Sequence, residues 1–270
     1  MRVQNKVLVV TGGGNGIGRE LVLNLLSKGA SVATVDINES ALQETVALSG
    51  NKKDKVSTHL VNITDRDAVT ALPEQVISRH GAVDGLINNA GIIQPFVRIN
   101  DLDYAAIERV MNVNFYGTLY MTKVFLPYLL KRPEGHITNI SSMGGFIPFP
   151  GQSLYGASKA AVKLLTEGLH SELLDTNVRV TVVFPGAIGT NIAANSGVGL
   201  RPAPENRAQQ RSIKPLEPSR AAEIIIGGIE RNRYRVMVGS DATFLDRFYR
   251  LSPERAAHFI FKQMKSLLSG

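Results

Sequence analysis

Short apolar runs alternate with longer stretches of helical periodicity along most of the chain. The runs are rich in β-branched residues, as in strands buried on both faces of a sheet, and the longer stretches space apolar residues as in amphipathic helices. The predicted strands cover residues 6–10, 31–35, 56–61, 85–88, 136–140, 179–183 and 235–238. The predicted helices cover residues 17–28, 39–48, 67–79, 104–130, 155–174 and 219–230. The alternation predicts an α/β fold, a doubly wound parallel sheet of about seven strands with helices on both faces.

No stretch of the sequence has the composition of an interdomain linker, so residues 1–270 are expected to form one domain. Residues 191–217 are too long an irregular stretch for a plain connection and predict a lid over a site. Residues 241–270 predict a helical tail with one apolar stripe among basic residues. Such a stripe favours packing against the body or a second subunit over contact with an anionic membrane. The stripe consists of Ala256, Phe259, Ile260, Met264, Leu267 and Leu268.

Composition narrows the class of protein. Hydrophobic residues make up 44% and charged residues 20% of the chain, a balance typical of globular proteins and not of disordered ones. The absence of cysteine excludes disulfide scaffolds and thiolate chemistry, and the five histidines show no metal-ligand spacing, so no metal is expected. The first apolar run begins at Val7, which leaves no room for a signal peptide and predicts a cytoplasmic location.

The net charge of +7 raises the question of nucleic acid as a partner. Residues 201–270 contain 13 basic and 7 acidic residues, so most of the excess lies in the last quarter. No helix-turn-helix, zinc-finger or RNA-binding sheet motif accompanies this charge, and nucleic-acid binding is therefore not expected.

A glycine-rich segment, Thr11–Gly18, joins the first strand to the first helix. Glycines let the backbone turn tightly and approach a diphosphate, whose charge then meets the positive end of the helix. A nucleotide-hydrolysing P-loop is excluded because Gly18 is followed by Arg19 and Glu20 instead of Lys and Ser or Thr. The segment predicts a dinucleotide site that includes Gly12, Asn15, Gly16, Ile17 and Gly18.

Asp36 closes the second predicted strand, where a carboxylate can accept hydrogen bonds from the adenosine ribose hydroxyls. A 2′-phosphate at this place would be repelled by about 4 kcal/mol per charge pair at a distance of ~4 Å and an effective dielectric constant of ~20. The neighbouring residues Asn15 and Ile37 are neutral and would not compensate. Asp36 therefore favours NAD over NADP.

Tyr155 and Lys159 lie four residues apart on a predicted helix and share one face, and the preceding loop can bring Ser142 opposite them. A phenol has a pKa of ~10, and one ammonium group at ~4 Å could lower it by ~2 to 3 units, enough for acid and base catalysis near neutrality. Ser141 is the alternative to Ser142, and we expect it to turn into the fold.

These motifs together resemble the short-chain dehydrogenase/reductase family in its order and spacing, along nearly the whole chain. The resemblance rests on TGGGNGIG at 11–18, NNAG at 88–91, VNFYG at 113–117, NISS at 139–142, YGASK at 155–159 and PGAIGT at 185–190. It implies a single-domain Rossmann-type fold, hydride transfer with a nicotinamide cofactor, and homodimers or homotetramers.

The resemblance also implies roles for individual residues. Tyr155 would be the general acid and base, Ser142 would bind the substrate oxygen, and Lys159 would lower the pKa of Tyr155 and hold the nicotinamide ribose. Asn114 would anchor a water molecule of the proton relay. The remaining cofactor contacts implied by the family are Asn62, Ile63, Asn89, Ala90, Gly91, Pro185, Gly186, Ile188 and Thr190.

The expected mouth of the site is apolar, which favours a lipophilic secondary alcohol or ketone such as a steroid, retinoid or fatty-acyl compound. Two alternatives stay open: an NADPH-dependent 3-oxoacyl-carrier reductase, and a non-catalytic NAD-binding sensor. Asp36 argues against the first, and the complete set of Asn114, Ser142, Tyr155 and Lys159 argues against the second. The apolar set consists of Ile92, Ile93, Pro95, Phe96, Met143, Phe146, Ile147, Phe149, Ile188 and Ile192.

Overall fold

The seven predicted strands form one fully parallel sheet in the computed structural model, which describes residues 1–198 and 215–264. The strand order is β3-β2-β1-β4-β5-β6-β7, so the chain winds outward in one direction from β1 and then in the other. This confirms the doubly wound α/β prediction. The strands are β1 (Val7–Thr11), β2 (Ser31–Asp36), β3 (Val56–Leu60), β4 (Gly85–Asn88), β5 (Gly135–Ile140), β6 (Val178–Pro185) and β7 (Arg235–Val238).

The helices cover both faces of the sheet. Leu8 and Val10 of β1 point towards the first and eighth helices, whereas Val7 and Val9 point towards the third, fifth and sixth, as the twofold alternation of a strand requires. The helices are α1 (Gly16–Ser27), α2 (Glu39–Leu48), α3 (Arg66–His80), α4 (Tyr104–Met111), α5 (Thr118–Leu130), α6 (Ser153–Glu172), α7 (Ile192–Asn195), α8 (Pro218–Glu230), α9 (Ser240–Leu251) and α10 (Pro253–Met264).

The prediction of a single helix over residues 104–130 is wrong in one respect. A π-helical segment, Asn112–Gly117, interrupts it between α4 and α5. Asn114 lies in this segment, and its side chain is fully buried. Wider turns of this kind often occur at functional sites because they redirect one side chain without ending the helix.

The reversal of winding at β1 opens a crevice at the carboxyl ends of the strands. The chain leaves β1 towards β2 and leaves β4 towards β5, so the loops after β1 and β4 diverge. Ligands of doubly wound proteins bind at such a point. The fold therefore brings the glycine-rich segment and the loop after β4 to the two sides of one crevice.

The predicted lid, residues 191–217, lies partly outside the described residues, at 199–214. Its first part forms α7, and the hydroxyl of Ser196, which directly follows α7, accepts a hydrogen bond from the Ile93 amide at 3.0 Å. Its last part is held to the segment before α7, because Ile188 pairs with Leu216 in a short parallel bridge. Both described ends of the segment are thus attached beside the crevice.

The tail packs against the body of the protein through α10. Ala256 and Ile260 are buried in a cluster with Ile147 and Leu245. Phe259 stays 40% exposed, and Leu267 and Leu268 of the predicted stripe lie outside the described residues. Within 1–198 and 215–264, no helix is long and apolar enough to cross a membrane.

His136 is buried in the middle of the sheet, on β5, where its Nε2 pairs with the Thr181 hydroxyl at 2.9 Å. Burial lowers its pKa from 6.5 to about 3. The unfolded chain therefore binds a proton that the folded chain excludes between these two pH values, and the wild-type protein loses stability as the pH falls through this window.

We expect His136→Gln to remove this contribution to acid sensitivity. Relative to the variant, the unfolding free energy of the wild type should fall by up to ~1.4 kcal/mol per pH unit below pH 6.5. Urea titrations across the window measure both slopes. Parallel pH profiles for the two proteins would contradict the assignment.

Candidate active site

A cavity of about 610 Å³ occupies the crevice at the carboxyl ends of the strands. Gly16, Gly18 and Asn114, which were predicted for the site, do not line it. The other predicted residues all do: Gly12, Asn15, Ile17, Asp36, Asn62, Ile63, Asn89, Ala90, Gly91, Ser142, Tyr155, Lys159, Pro185, Gly186, Ile188 and Thr190.

The glycine-rich segment forms the wall of the cavity between β1 and α1. Gly12 has a φ of +66°, and a Cβ atom there would lie 2.9 Å from the Cα of Ala90. Gly18 has no unusual φ, but its Cβ would lie 1.9 Å from the carbonyl oxygen of Gly12. Gly18 thus supports the site from behind by letting α1 begin directly against the loop. Asn15, the residue before α1, makes no side-chain cap hydrogen bond, so the first amides of the helix are not capped by it and suit a diphosphate.

Asp36 is held at one end of the cavity by the backbone. Its Oδ2 accepts a hydrogen bond from the Gly14 amide at 2.9 Å, and its Oδ1 accepts one from the Asn38 amide at 3.1 Å. Each oxygen retains acceptor capacity for a ribose hydroxyl.

Within residues 1–198 and 215–264, this carboxylate has no ion-pair partner. Asp36 and Lys159 are the only charged side chains among the described residues that line the cavity. Arg19 is directed elsewhere, since its guanidinium donates to the Gly14 carbonyl and to Glu44, both at 2.6 Å. The Asp36 carboxylate can accept hydrogen bonds from ribose hydroxyls, and none of the described lining residues puts a cation next to it for a 2′-phosphate.

Tyr155 and Lys159 lie on the first turns of α6 and face the opposite end of the cavity. The Lys159 ammonium is buried and donates a hydrogen bond to the Ile140 carbonyl at the end of β5, at 3.0 Å. Burial lowers the pKa of Lys159 to about 8. The lysine is thus anchored to the sheet, and its pKa lies closer to neutral pH than that of an exposed lysine.

Burial also raises the pKa of the Tyr155 hydroxyl, while hydrogen bonding to Ser142 acts in the opposite direction. The expected lowering of the Tyr155 pKa by Lys159 is not found in this structure. Burial of the charged phenolate away from water costs more free energy than its interactions with neighbouring groups recover. The expectation from sequence spacing did not include this desolvation cost.

The two serines at the end of β5 have different surroundings. Ser141 is buried and its hydroxyl donates to the Lys159 carbonyl at 2.8 Å, so it turns into the fold as predicted. The Ser142 hydroxyl accepts a hydrogen bond from the Gly144 amide at 3.0 Å and interacts with Tyr155. Of the two, Ser142 is therefore placed to share a substrate oxygen with Tyr155.

Asn114 lies behind the cavity and joins two of its walls. Its Oδ1 accepts from the Ile92 amide at 2.8 Å, and its Nδ2 donates to the Ile92 carbonyl and to the Ser158 hydroxyl, both at 2.9 Å. A Cβ at Gly91 would lie 3.0 Å from the Lys159 Nζ and 3.2 Å from the Asn114 Oδ1. The side chain of Asn114 thus fixes the loop after β4 against α6, and glycine at 91 leaves room for the lysine.

Two glutamines at the site were not predicted from the sequence. The Oε1 of Gln94 accepts hydrogen bonds from the amides of Leu154 and Tyr155, at 2.8 and 3.0 Å, and so caps the helix that carries Tyr155 and Lys159. Gln152 precedes that helix and lines the cavity. The sequence offered no signal for this cap, because Ser153 is a suitable N-cap residue beside the predicted helix start. In the structure Ser153 is instead the first helical residue, and Gln152 before it makes no side-chain cap hydrogen bond.

The mouth of the cavity is largely apolar. Pro95, Phe146 and Ile147 of the predicted set do not line it: Ile147 is buried against the tail, and Phe146 packs edge-on against Phe184. Met264, at the end of α10, lines the cavity and was not predicted for it. The predicted apolar residues that do line it are Ile92, Ile93, Phe96, Met143, Phe149, Ile188 and Ile192.

Two curated relatives match most of the chain. A Mycobacterium tuberculosis protein named "Putative oxidoreductase SadH" is 37% identical over 252 residues, which cover 92% of this chain and 91% of the relative. The 3-oxoacyl-acyl-carrier-protein reductase FabG of Thermotoga maritima is 38% identical over 192 residues, 70% of this chain and 77% of FabG.

Solved structures share the fold over the same extent. A short-chain dehydrogenase/reductase from Burkholderia phymatum in complex with NAD superposes with a TM-score of 0.84 at 25% identity, covering 94% of this chain and 96% of its own. A short-chain dehydrogenase from Burkholderia cenocepacia in complex with NADP superposes with a TM-score of 0.79 at 25% identity, covering 96% of this chain and 99% of its own.

The sequence profile of the family described as short chain dehydrogenase matches residues 6–199. That range contains the glycine-rich segment, Ser142, Tyr155 and Lys159. The chain therefore belongs to the short-chain dehydrogenase/reductase family and is an oxidoreductase acting on CH–OH or carbonyl groups.

Proposed function

We propose that the protein transfers a hydride between NAD(H) and a lipophilic secondary alcohol or its ketone. The observation that carries this proposal is the arrangement of one cavity, with Asp36 at one end, Ser142 and Tyr155 at the other, and apolar walls beside the hydroxyl pair. The cavity volume of about 610 Å³ lies within the usual size range of cofactor and small-molecule sites.

NAD would be held by the residues that fit its parts, and it supplies the hydride chemistry. The amides at the start of α1 suit the diphosphate, and Asp36 suits the adenosine ribose. Lys159 suits the nicotinamide ribose, and Ile188 and Thr190, which line the same cavity, would bind the nicotinamide amide.

Proton transfer would take place at the Tyr155 hydroxyl. In reduction, Tyr155 donates its proton to the substrate oxygen as that oxygen gains charge, while the Ser142 hydroxyl donates a hydrogen bond to the same atom. In oxidation, the phenolate accepts the proton of the alcohol. Because burial raises the pKa of Tyr155, the protonated form suited to reduction predominates at neutral pH, and oxidation gains rate as the pH rises.

Activity assays on a panel of secondary alcohols and ketones test the proposal. Purified protein should turn over apolar members of the panel with NAD or NADH, detected by the absorbance of the reduced nicotinamide. Lack of turnover on the whole panel with either nicotinamide cofactor would overturn the proposed function and favour a cofactor-binding sensor.

Cofactor selectivity provides a separate prediction. We expect NADH to bind at least ~10-fold more tightly than NADPH, because Asp36 places an uncompensated charge where the 2′-phosphate would lie. Asp36→Ala and the isosteric Asp36→Asn should both narrow this difference. Fluorescence titration of the three proteins with both cofactors measures it, and equal affinities in the wild type would contradict the NAD assignment.

One alternative function has an observation in its favour. The similarity to FabG allows an NADPH-dependent 3-oxoacyl-carrier reductase, with the basic last quarter of the chain facing an acidic carrier. Asp36 and the absence of a cation beside it among the described lining residues argue against NADPH. Reduction of a 3-oxoacyl thioester with NADPH at a higher kcat/KM than any panel ketone with NADH would favour this alternative.

A homodimer or homotetramer and a cytoplasmic location stay predictions. The family resemblance supports assembly through the long helices that carry Asn114 and Tyr155. Sedimentation of the purified protein measures the size of the assembly.

A further inference from the structure

One side chain anchors the backbone of the loop after β6, residues 186–190. All residues of this loop except Gly189 line the cavity. The amide of Ala187 donates a hydrogen bond to the Oδ2 of Asp241 at 2.7 Å. Among the residues that the structure describes, no other side chain bonds to the backbone of the loop. The conformation of this part of the cavity wall therefore depends on a residue that does not itself line the cavity.

The carboxylate of Asp241 lies directly against the backbone at two places. A Cβ atom at Gly186 would overlap both of its oxygens, and a Cβ atom at Gly239 would overlap Oδ1. Gly239 also has a φ of +110°, which residues with a side chain rarely adopt. Glycine at both positions thus lets the carboxylate approach the loop closely enough to bond to Ala187.

Asp241 is itself carried by a packed helix. It is the second residue of α9, in which Ala242 is fully buried and Leu245 packs in one cluster with Ile147 and Ile260. Within residues 1–198 and 215–264 the carboxylate forms no ion pair, so no cation competes with the loop for it. The hydrogen bond therefore connects the loop to a helix whose place is fixed by its own core contacts.

The other bonds of the loop join backbone groups. Gly186 donates to the Val238 carbonyl of β7 at 2.9 Å, and the Leu216 amide donates to the Ala187 carbonyl at 2.9 Å. The peptide groups of Ala187 are thus held from two sides, by Leu216 at the carbonyl and by Asp241 at the amide. Truncation of Asp241 would leave the first side only.

We propose that Asp241 is a positioning residue that holds residues 186–190 in the conformation that receives the nicotinamide half of the cofactor. This inference rests on the proposed function, in which Ile188 and Thr190 bind the nicotinamide amide. The adenosine half would lie against Asp36 and the glycine-rich segment, and neither bonds to Asp241 in the part of the chain that the structure describes. Asp241 should therefore influence the binding of one half of the cofactor and not the other.

Binding of NADH and of ADP-ribose tests the inference, because ADP-ribose contains both riboses and the diphosphate but no nicotinamide. Titration calorimetry measures both affinities for the wild type and for each variant. A carboxylate in the first turn also stabilises its own helix, so a variant of Asp241 can lower the folded fraction. Both apparent affinities scale with that fraction in the same way, and their ratio is therefore independent of it.

The wild type should bind NADH more tightly than ADP-ribose. Asp241→Ala should lower the ratio of the NADH affinity to the ADP-ribose affinity at least about threefold, as the loss of a hydrogen bond beside the nicotinamide predicts. Asp241→Ser, whose side chain is too short to reach the Ala187 amide, should behave in the same way and replaces the alanine variant if that one does not fold. Asp241→Asn should keep the ratio within about twofold of the wild type, because its amide oxygen can still accept from Ala187.

Asp246→Ala is the matched control. It removes a carboxylate from the same helix, where Asp246 pairs with Arg235 and Arg250 and not with the loop. This variant should keep the wild-type ratio even if it unfolds more easily.

The outcomes separate this inference from the proposed function. A ratio that falls less than about threefold in both truncations of Asp241, or that falls equally in Asp246→Ala, overturns the role of Asp241 and leaves the proposed function standing. Equal affinities of the wild type for NADH and ADP-ribose overturn the contact of the loop with the nicotinamide, and the inference with it. Lack of turnover on the panel of alcohols and ketones overturns the proposed reaction alone, because the ratio of affinities does not depend on catalysis.

Discussion

Tyr155→Phe should lower kcat at least ~100-fold, because general acid and base catalysis accelerates reactions by a factor of ~10² to 10⁴. The affinity for NAD should stay close to that of the wild type. The substitution deletes the transferable proton and keeps the ring that packs beside Ile93 and Ile192. Steady-state assays give kcat, and fluorescence titration gives the cofactor affinity.

Tyr128→Phe is the matched control for this prediction. It removes the same atom from a tyrosine outside the cavity lining, whose hydroxyl donates to Glu74 at 2.7 Å. Its kcat should equal that of the wild type within experimental error. Retention of more than about a hundredth of the wild-type kcat by Tyr155→Phe would show that the proton is transferred elsewhere.

Gly18→Ala should destabilise the protein by at least ~1–3 kcal/mol and weaken NAD binding, because an added methyl group cannot be accommodated between α1 and the glycine-rich segment. The Cβ would lie 1.9 Å from the Gly12 carbonyl oxygen and 2.6 Å from the side-chain Nδ2 of Asn89. Relief requires α1 to move away from the loop, which displaces the amides expected to bind the diphosphate. Urea unfolding and cofactor titration measure the two effects.

Gly168→Ala makes the same chemical change inside α6, four residues before its last residue, where a Cβ meets nothing within 4 Å. Alanine is favoured over glycine in a helix interior by roughly 0.5–1 kcal/mol, so this variant should be more stable than the wild type and bind NAD normally. Equal stabilities for the two variants would show that the contact at Gly18 does not constrain α1.

The sheet was predictable because its signals are local. Buried parallel strands are short apolar runs, and the glycine-rich segment identifies the strand and helix that it joins. The observed bounds of α2, β4 and β7 equal the predicted ones. The break between α4 and α5 was not predictable in this way, because the bonds that hold Asn114 there come from Ile92 and Ser158, which are distant in sequence.

The glutamines of the site escaped prediction for a similar reason. Gln94 caps a helix that begins about sixty positions further along the chain, and glutamine has no strong intrinsic preference for that role. Its contribution depends on the loop after β4 reaching the start of α6. Sequence spacing within one helix, by contrast, correctly predicted that Tyr155 and Lys159 face one cavity.

Met264 gives the tail an influence on the shape of the cavity in addition to its packing against the body of the protein. Its side chain borders the cavity, while α10 is held by Ala256 and Ile260 and contributes none of the groups that transfer the proton. Replacement of α10 by a helix with the same two anchors and a larger or smaller residue at 264 would change the width of the cavity and leave Ser142, Tyr155 and Lys159 in place. The reaction and the size of its substrate can therefore diverge independently, the first through residues of α6 and the second through Met264, which lies more than a hundred positions after Tyr155.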